Sequence, residues 1–168
     1  MKSLVKLLVI IGCIASSTVS FAQKTAFIEL DSILSIMPEM ARAKDSSAYF
    51  YKQLEARLTK MQKELNDNLA DYQEHEKTYM DVIKQQRQKE LQDQNQRIQD
   101  FQVSAQTEFQ KKNDDLTKPI NERAKKAIEK VAKAKGYKMV IDTSVGVLLY
   151  HDPADDIFNL VKAELGIK

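Results

Sequence analysis

Cross-linking chemistry is missing from this chain. Its 168 residues hold one cysteine, Cys13, so no intramolecular disulfide can form and no Cys/His spacing suited to zinc exists. Glycine occurs four times, proline three times and tryptophan never. With so few glycines there is no Gly-rich phosphate loop and no G-x-S-x-G nucleophile turn. Excess charge of one sign is lacking too: 26 basic against 24 acidic residues leave a formal +2, which argues against a protein that tracks nucleic-acid phosphates by net charge. The apolar run Leu7–Ile14 is too short for a membrane-spanning helix, which needs about 20 residues. There are two histidines, so few groups titrate near neutrality.

What remains is a long stretch, Ala41 to Leu116, without proline or glycine and rich in Gln, Lys, Glu and Asp. Stepping by three and four from Tyr51 gives Leu54, Leu58, Met61, Leu65, Asn68, Tyr72, His75, Tyr79 and Val82. Most of these are apolar or aromatic, and a 3.5-residue apolar period is a coiled-coil seam. The later half differs. Ile98, Phe101, Ala105, Phe109, Leu116 and Ile120 fit a period nearer 3.6, with Ile98, Phe109 and Ile120 eleven apart, the pattern of a straighter helix.

One unbroken helix over this stretch would be about 115 Å long. Folding it once gives two arms of roughly 55 Å. The spacing of Thr78 and Asp81 suits a capping box, which puts the tip at 78–84 and leaves arms of equal length within 42–118. A continuous helix in a parallel coiled coil is the alternative arrangement. These arms carry fourteen basic and fourteen acidic side chains. Phe50, Leu69, Met80, Ile83 and Val103 fall off the seams. Either Leu69 replaces Asn68 in the seam and the others fill gaps, or the five line a surface that touches other chains, for which the flexible thioether of Met80 is suited.

Before the arms, Lys2 and Lys6 precede the apolar run, and Ser20-Phe21-Ala22 offers a small-x-small cleavage site. Residues 1–22 read as a signal peptide cleaved after Ala22. Cleavage removes Cys13 and both lysines, leaving 24 basic against 24 acidic residues in a mature chain of about 146. Lys24–Leu30 alternates like a strand. Asp31-Ser32 offers an N-cap for a short helix that Pro38 ends or bends into the next.

After the arms, Pro119 is expected to kink the descending helix, and Gly136 to stop it. Tyr137–Asp142 reads as a strand, 143–146 as a turn, and Val147–Tyr150 as the return strand, with Ile141 and Leu148 as buried strand positions. Asp155 or Asp156 is expected to cap a last helix with Ile157, Leu160, Val161 and Leu165 on its apolar face. Residues 23–41 and 119–168 thus form one small α+β body into which the arms are inserted. A body this small commonly gains core by oligomerisation.

Candidate chemistry is sparse. His75 falls in the seam and reads as a polar break. His151 beside Asp152 has the residue types of an acid–base pair, but a turn position on the surface accounts for it. Asp114-Asp115 and Asp155-Asp156 suit solvated positions or caps. The run Arg123–Lys135 holds six basic residues and one acidic and reads as a solvated helix face. No enzyme, metal site or cofactor is expected.

The opening KTAFIELDSILSIMPEM and the closing KPINERAKKAIEKVAKAKGYKMVIDTSVGVLLYHDPADDIFNLVKAEL resemble the corresponding ends of Skp/OmpH-family periplasmic chaperones, in order and spacing. The resemblance implies an α+β fold in which a small strand-containing trimerisation body carries a long antiparallel helical-hairpin, coiled-coil tentacle. It implies a homotrimer with a cavity between its tentacles. It also implies ATP-independent holding of unfolded outer-membrane proteins in the periplasm. On that reading Phe50, Leu69, Met80, Ile83 and Val103 are the client-binding candidates, and Ile141 and Leu148 the candidates for the trimer body. Nucleic acid is not an expected partner, and peripheral membrane or lipid contact is left open. Well-known relatives are markedly basic whereas this mature chain is near neutral, which argues against electrostatic capture of acidic clients or lipid headgroups; no basic cluster here matches a lipopolysaccharide site, so none is carried over. A coiled-coil spacer or adaptor of the cell envelope is the alternative function.

Overall fold

The computed structural model describes residues 24–146 and 148–167. The expected signal peptide, residues 1–22, lies outside them. In order come β1 (Thr25–Ile28), α1 (Leu30–Ile36), α2 (Pro38–His75), a 3-10 turn (Glu76–Thr78), α3 (Asp81–Lys135), β2 (Met139–Asp142), a second 3-10 turn (Pro153–Asp155) and α4 (Phe158–Glu164). The fold is therefore mostly helical, with two very long helices and a small sheet.

That sheet has two strands, and they are parallel: Thr25 pairs with Met139 and Ile28 with Asp142. Parallel neighbours require a crossover, and here the crossover is the whole of α1, α2 and α3. Ala26 and Ile28 face inward, 0% and 2% exposed. On β2 it is Val140, not Ile141, that packs against this core.

The expected return strand does not form. Leu148–Tyr150 carry no strand among the described residues, Leu149 and Tyr150 are 98% and 79% exposed, and Val147 lies outside the description. Strand-forming residues need a partner edge, and propensity alone does not supply one. The other side of β1 is taken instead by Asp156 and Ile157, through a parallel bridge from Phe27 to Asp156 and a bond from Ile157 N to Phe27 O of 3.0 Å.

The core gathers Ala26, Ile28, Ile33, Met37, Ile120, Ala124, Ala127, Val131, Ile157, Val161 and Leu165. On α3, the spacing of Ile120, Ala124, Ala127 and Val131 puts one stripe against the body. Ile33, Met37, Ile157 and Val161 are the largest fully buried side chains, each worth about 1.5–3 kcal/mol of apolar burial. Leu160, expected on the apolar face of α4, is 38% exposed.

The helix ends follow local chemistry with two departures. Pro38 stands at the first turn of α2, where its missing N–H has no cost. Gly136 adopts φ 74° and ends α3, with Tyr137 N donating to Ala132 O, a left-handed cap that favours glycine. Asp156 accepts from Phe158 N at 2.8 Å and opens α4. Pro119, expected to kink the descending helix, lies inside α3, which runs on to Lys135; the stripe that continues onto the body holds the helix together across the lost bond. Against expectation, the Thr78–Asp81 box does not form. Thr78 Oγ1 donates to His75 O, and Met80 opens α3 without a side-chain cap.

The second departure is at α1, which starts at Leu30 with no local cap. Its first N–H groups are met from 112 and 113 residues away: Leu30 N donates to Asp142 Oδ1 and Asp31 N to Ser144 Oγ. Burial pushes the Asp142 carboxyl up, but hydrogen bonds from Ser144, backbone and side chain, and from Leu30 N outweigh it and hold the group below its ordinary value.

Candidate functional site

The long helices α2 and α3 touch along most of their shared length. Ser47 meets Asn113, Tyr51 meets Phe109, Asn68 meets Gln94 and Tyr72 meets Gln88. Positions fall along α3 as they rise along α2. Leu54, Leu58, Met61, Leu65, Phe101, Ala105 and Phe109 are half-buried between them, and Tyr72 and Ile98 are buried. The seam is thus narrow, as expected of two helices packed without a third layer.

The seam also keeps polar ties. Asn68 Nδ2 donates to Gln94 Oε1 at 3.1 Å. Gln88 Nε2 donates to the Tyr72 hydroxyl at 2.9 Å, and that hydroxyl donates to Glu76 Oε1 at 3.2 Å. Asn68 therefore stays in the seam and Leu69 does not replace it. Leu69 is 40% exposed. Beyond the 3-10 turn the helical phase is reset, so Val82, counted in the seam, is 74% exposed instead.

The five candidate contact residues do not converge. Met80 and Val103 are 73% and 70% exposed, while Phe50 and Ile83 are half-buried. Met80 and Ile83 share the turn region, and the others are spread along the pair. What the residue pattern did not reveal is an apolar slot of about 320 Å³ between Tyr51, Leu54, Leu58, Phe101, Ala105 and Phe109. The signal for it was Ala105, a methyl among large seam residues. Arg57 lies over the Phe101 ring at 4.9 Å, at the same level of the pair.

The candidates for the body surface sit outside its core. Phe27 pairs with Ile141 in the register, on the opposite side from Ala26 and Val140. Ile141 and Leu148 are half-buried, and Met139 is 56% exposed. Val145, Leu149 and Tyr150 follow as further exposed apolar residues.

The histidines have structural neighbours. His75 Nδ1 lies 3.0 Å from Asp71 O, one turn back in α2. His151 stacks on Phe27 with centroids 5.0 Å apart. The Asp152 carboxylate accepts from Ala154 N at 2.9 Å, so it caps a turn rather than orienting an imidazole. Along the arms, Glu90 is held below its ordinary value, first by a hydrogen bond from Gln86, against desolvation that pushes it up, and then by a hydrogen bond and the charge of Arg87. Among the described residues no cluster of His, Cys, Asp and Glu is arranged to hold a metal ion, and no helix is long and apolar enough to cross a membrane.

A thin helical pair on a small sheet-bearing body has a known counterpart in fold. A crystal structure of an OmpH-like protein from Caulobacter crescentus CB15 superposes with a TM-score of 0.72 over 84% of this chain and 83% of that one. At 16% identity this likeness concerns the fold. No curated protein matches the chain. The family pattern described as outer membrane protein (OmpH-like) matches residues 24–165, from the first strand through the last helix, and the chain belongs to that OmpH-like family.

Proposed function

We propose that this protein is an ATP-independent holdase of the periplasm, which keeps unfolded outer-membrane proteins soluble between tentacle-like arms. Each arm is the antiparallel hairpin of α2 and α3. Three chains assemble through their bodies, and their arms enclose the space where the client is held. Export by the segment 1–22 belongs to this reading, and no catalytic step does.

The observation that carries it is the exposure of Leu69, Met80, Val82 and Val103 on arms of balanced charge. Singly scattered apolar groups do not form the contiguous patch that marks a fixed docking site. Spread along two slender helices, they favour many weak contacts with an extended chain over one fixed dock. The apolar body surface of Phe27, Met139 and Ile141 suits burial against further copies.

The test is suppression of aggregation for several unrelated unfolded β-barrel proteins diluted from denaturant without nucleotide. Protection of all of them is expected. Protection of none would assign the arms to a fixed spacer or adaptor. Assembly is tested separately by native mass measurement: a trimer is expected, weakened by Ile141→Asp or Leu148→Asp. A monomer at every concentration would exclude the three-armed cavity.

A further inference from the structure

Where the helical pair joins the body there is a second groove, of about 390 Å³. Its floor is apolar, made by Met37, Ala43, Pro119 and Ile120, and Glu39, Arg42 and Arg123 stand at its rim. Ala43 contributes only a methyl at this level of the helical pair, which leaves the groove open. The volume lies in the range of clefts that hold small ligands, about 300–1,000 Å³.

The rim charges are not equivalent. Arg123 is committed twice, by an ion pair to Glu39 and by donation from Nη2 to Leu165 O at 3.2 Å. That pairing also consumes the one carboxylate lining the groove. Arg42 forms no ion pair or side-chain hydrogen bond among the described residues. The groove therefore offers an apolar floor with one uncompensated guanidinium directly at its edge.

We propose that this groove binds the C-terminal residue of an unfolded polypeptide, its apolar side chain on the floor and its terminal carboxylate on Arg42. Aspartate and glutamate carry a carboxylate but no apolar group of their own. In a polypeptide, the α-carboxylate of an apolar last residue is where the two meet on one carbon. Guanidinium matches carboxylate with two parallel hydrogen bonds, which a carboxamide cannot accept in the same way. The inference rests on the proposed holding of unfolded chains and assigns one contact within it.

The experiment uses the full mature chain and short fluorescent peptides read by anisotropy. One peptide ends in Leu-Phe with a free carboxylate, one is the same peptide amidated, and one ends in serine. A hydrogen bond to a charged group is worth about 1.5–3 kcal/mol, so the amide is expected to bind about tenfold weaker or worse. The serine peptide should lose comparably. Arg42→Gln, at an exposed position, is expected to erase the preference for acid over amide without moving the thermal midpoint. Equal binding of acid and amide, or a preference that survives Arg42→Gln, overturns the proposal. So does dodecanoate binding more tightly than the acid peptide, which would assign the groove to lipid. The holding reading is scored independently, by aggregation of full-length clients in the same preparation. Intact protection with no acid preference removes the groove alone, whereas acid preference without protection removes the holding reading and leaves the groove.

Discussion

The body and the helical pair use apolar residues in opposite ways. In the body, Ile33, Met37, Ile157 and Val161 are fully buried, and residues from β1, α1, α3 and α4 share one cluster. Along the arms from 48 to 119 the buried apolar residues are Tyr72 and Ile98. The rest of the seam is half-open, and Leu69, Met80, Val82 and Val103 are further out. The body is stabilised by burial. The arms are stabilised by their helical ladders, a narrow seam and a few cross-helix ties such as Asn68–Gln94. Regions with little buried apolar surface open at low free-energy cost, so the arms can change shape while the body keeps its own.

The largest test of that contrast removes one side of it. Excising Ser47–Lys112 and joining the stubs by a flexible loop leaves the body cluster intact, because its members all lie outside the cut. Loop-closure cost changes slowly with length, so the body is expected to stay folded. Protection of an unfolded outer-membrane protein from aggregation is expected to vanish. Equal protection by the arm-less protein would move the binding surface to the body.

A smaller effect is expected from single side chains. Ile157→Ala should cost about 2–5 kcal/mol in urea unfolding, the range for a fully buried residue that leaves a cavity. Leu65→Ala, in the half-open seam, should cost much less, because solvent already reaches the site. Similar losses at both positions would mean that the seam is as tightly packed as the body in the assembled protein.

This contrast also explains what could be read from residue order. Helical arms were legible because their signal is periodic and local: Leu54, Leu58 and Leu65 recur on one face, as do Ile98, Phe109 and Ile120. Gly136 was legible as a helix end for the same reason. The break at Glu76–Thr78 carries neither glycine nor proline, and it shifts the phase of every residue after it, which put Val82 in the wrong place. Non-local facts were invisible. Leu148–Tyr150 have strand-forming side chains but no partner edge. The cap of α1 comes from Asp142 and Ser144 across the sheet. Of the contact candidates, exposure at Leu69, Met80 and Val103 followed from the seam count, whereas the apolar slot depends on the helix spacing that the larger side chains around Ala105 set.

The distant cap gives a prediction of about 1 kcal/mol. Asp142→Ala leaves Leu30 N and Ser144 N without their acceptor, a loss in the range for helix caps, about 0.5–2 kcal/mol. The pH dependence follows from the depressed Asp142 carboxyl. Its stabilisation is complete above the unfolded-state value, near 3.9, and is lost as pH falls through the lower folded-state value. Melting curves from pH 5 downward should therefore fall less steeply for Asp142→Ala than for the parent. Parallel curves would show that Asp142 does not anchor α1.

The smallest expected effect is that of salt on client holding. The arms carry equal numbers of basic and acidic side chains, interspersed along both helices. Exposed pairs such as Lys60–Glu64 and Arg87–Glu90 already satisfy one another locally. In the body the charges are more segregated, with six basic residues and one acidic in Arg123–Lys135, although Lys130 and Lys133 are paired with Glu164 and Glu129. Screening over roughly 8 Å at 0.15 M salt should thus remove little attraction between the arms and an unfolded chain. Affinity for an unfolded β-barrel protein, titrated from low to moderate salt, is expected to change by less than about threefold, since few counterions are released. A tenfold loss would contradict apolar, diffuse holding. Repeating the titration on the arm-less protein then decides where the charge acts: salt-sensitive binding that survives the excision belongs to the basic face of the body, and binding that disappears belongs to the arms.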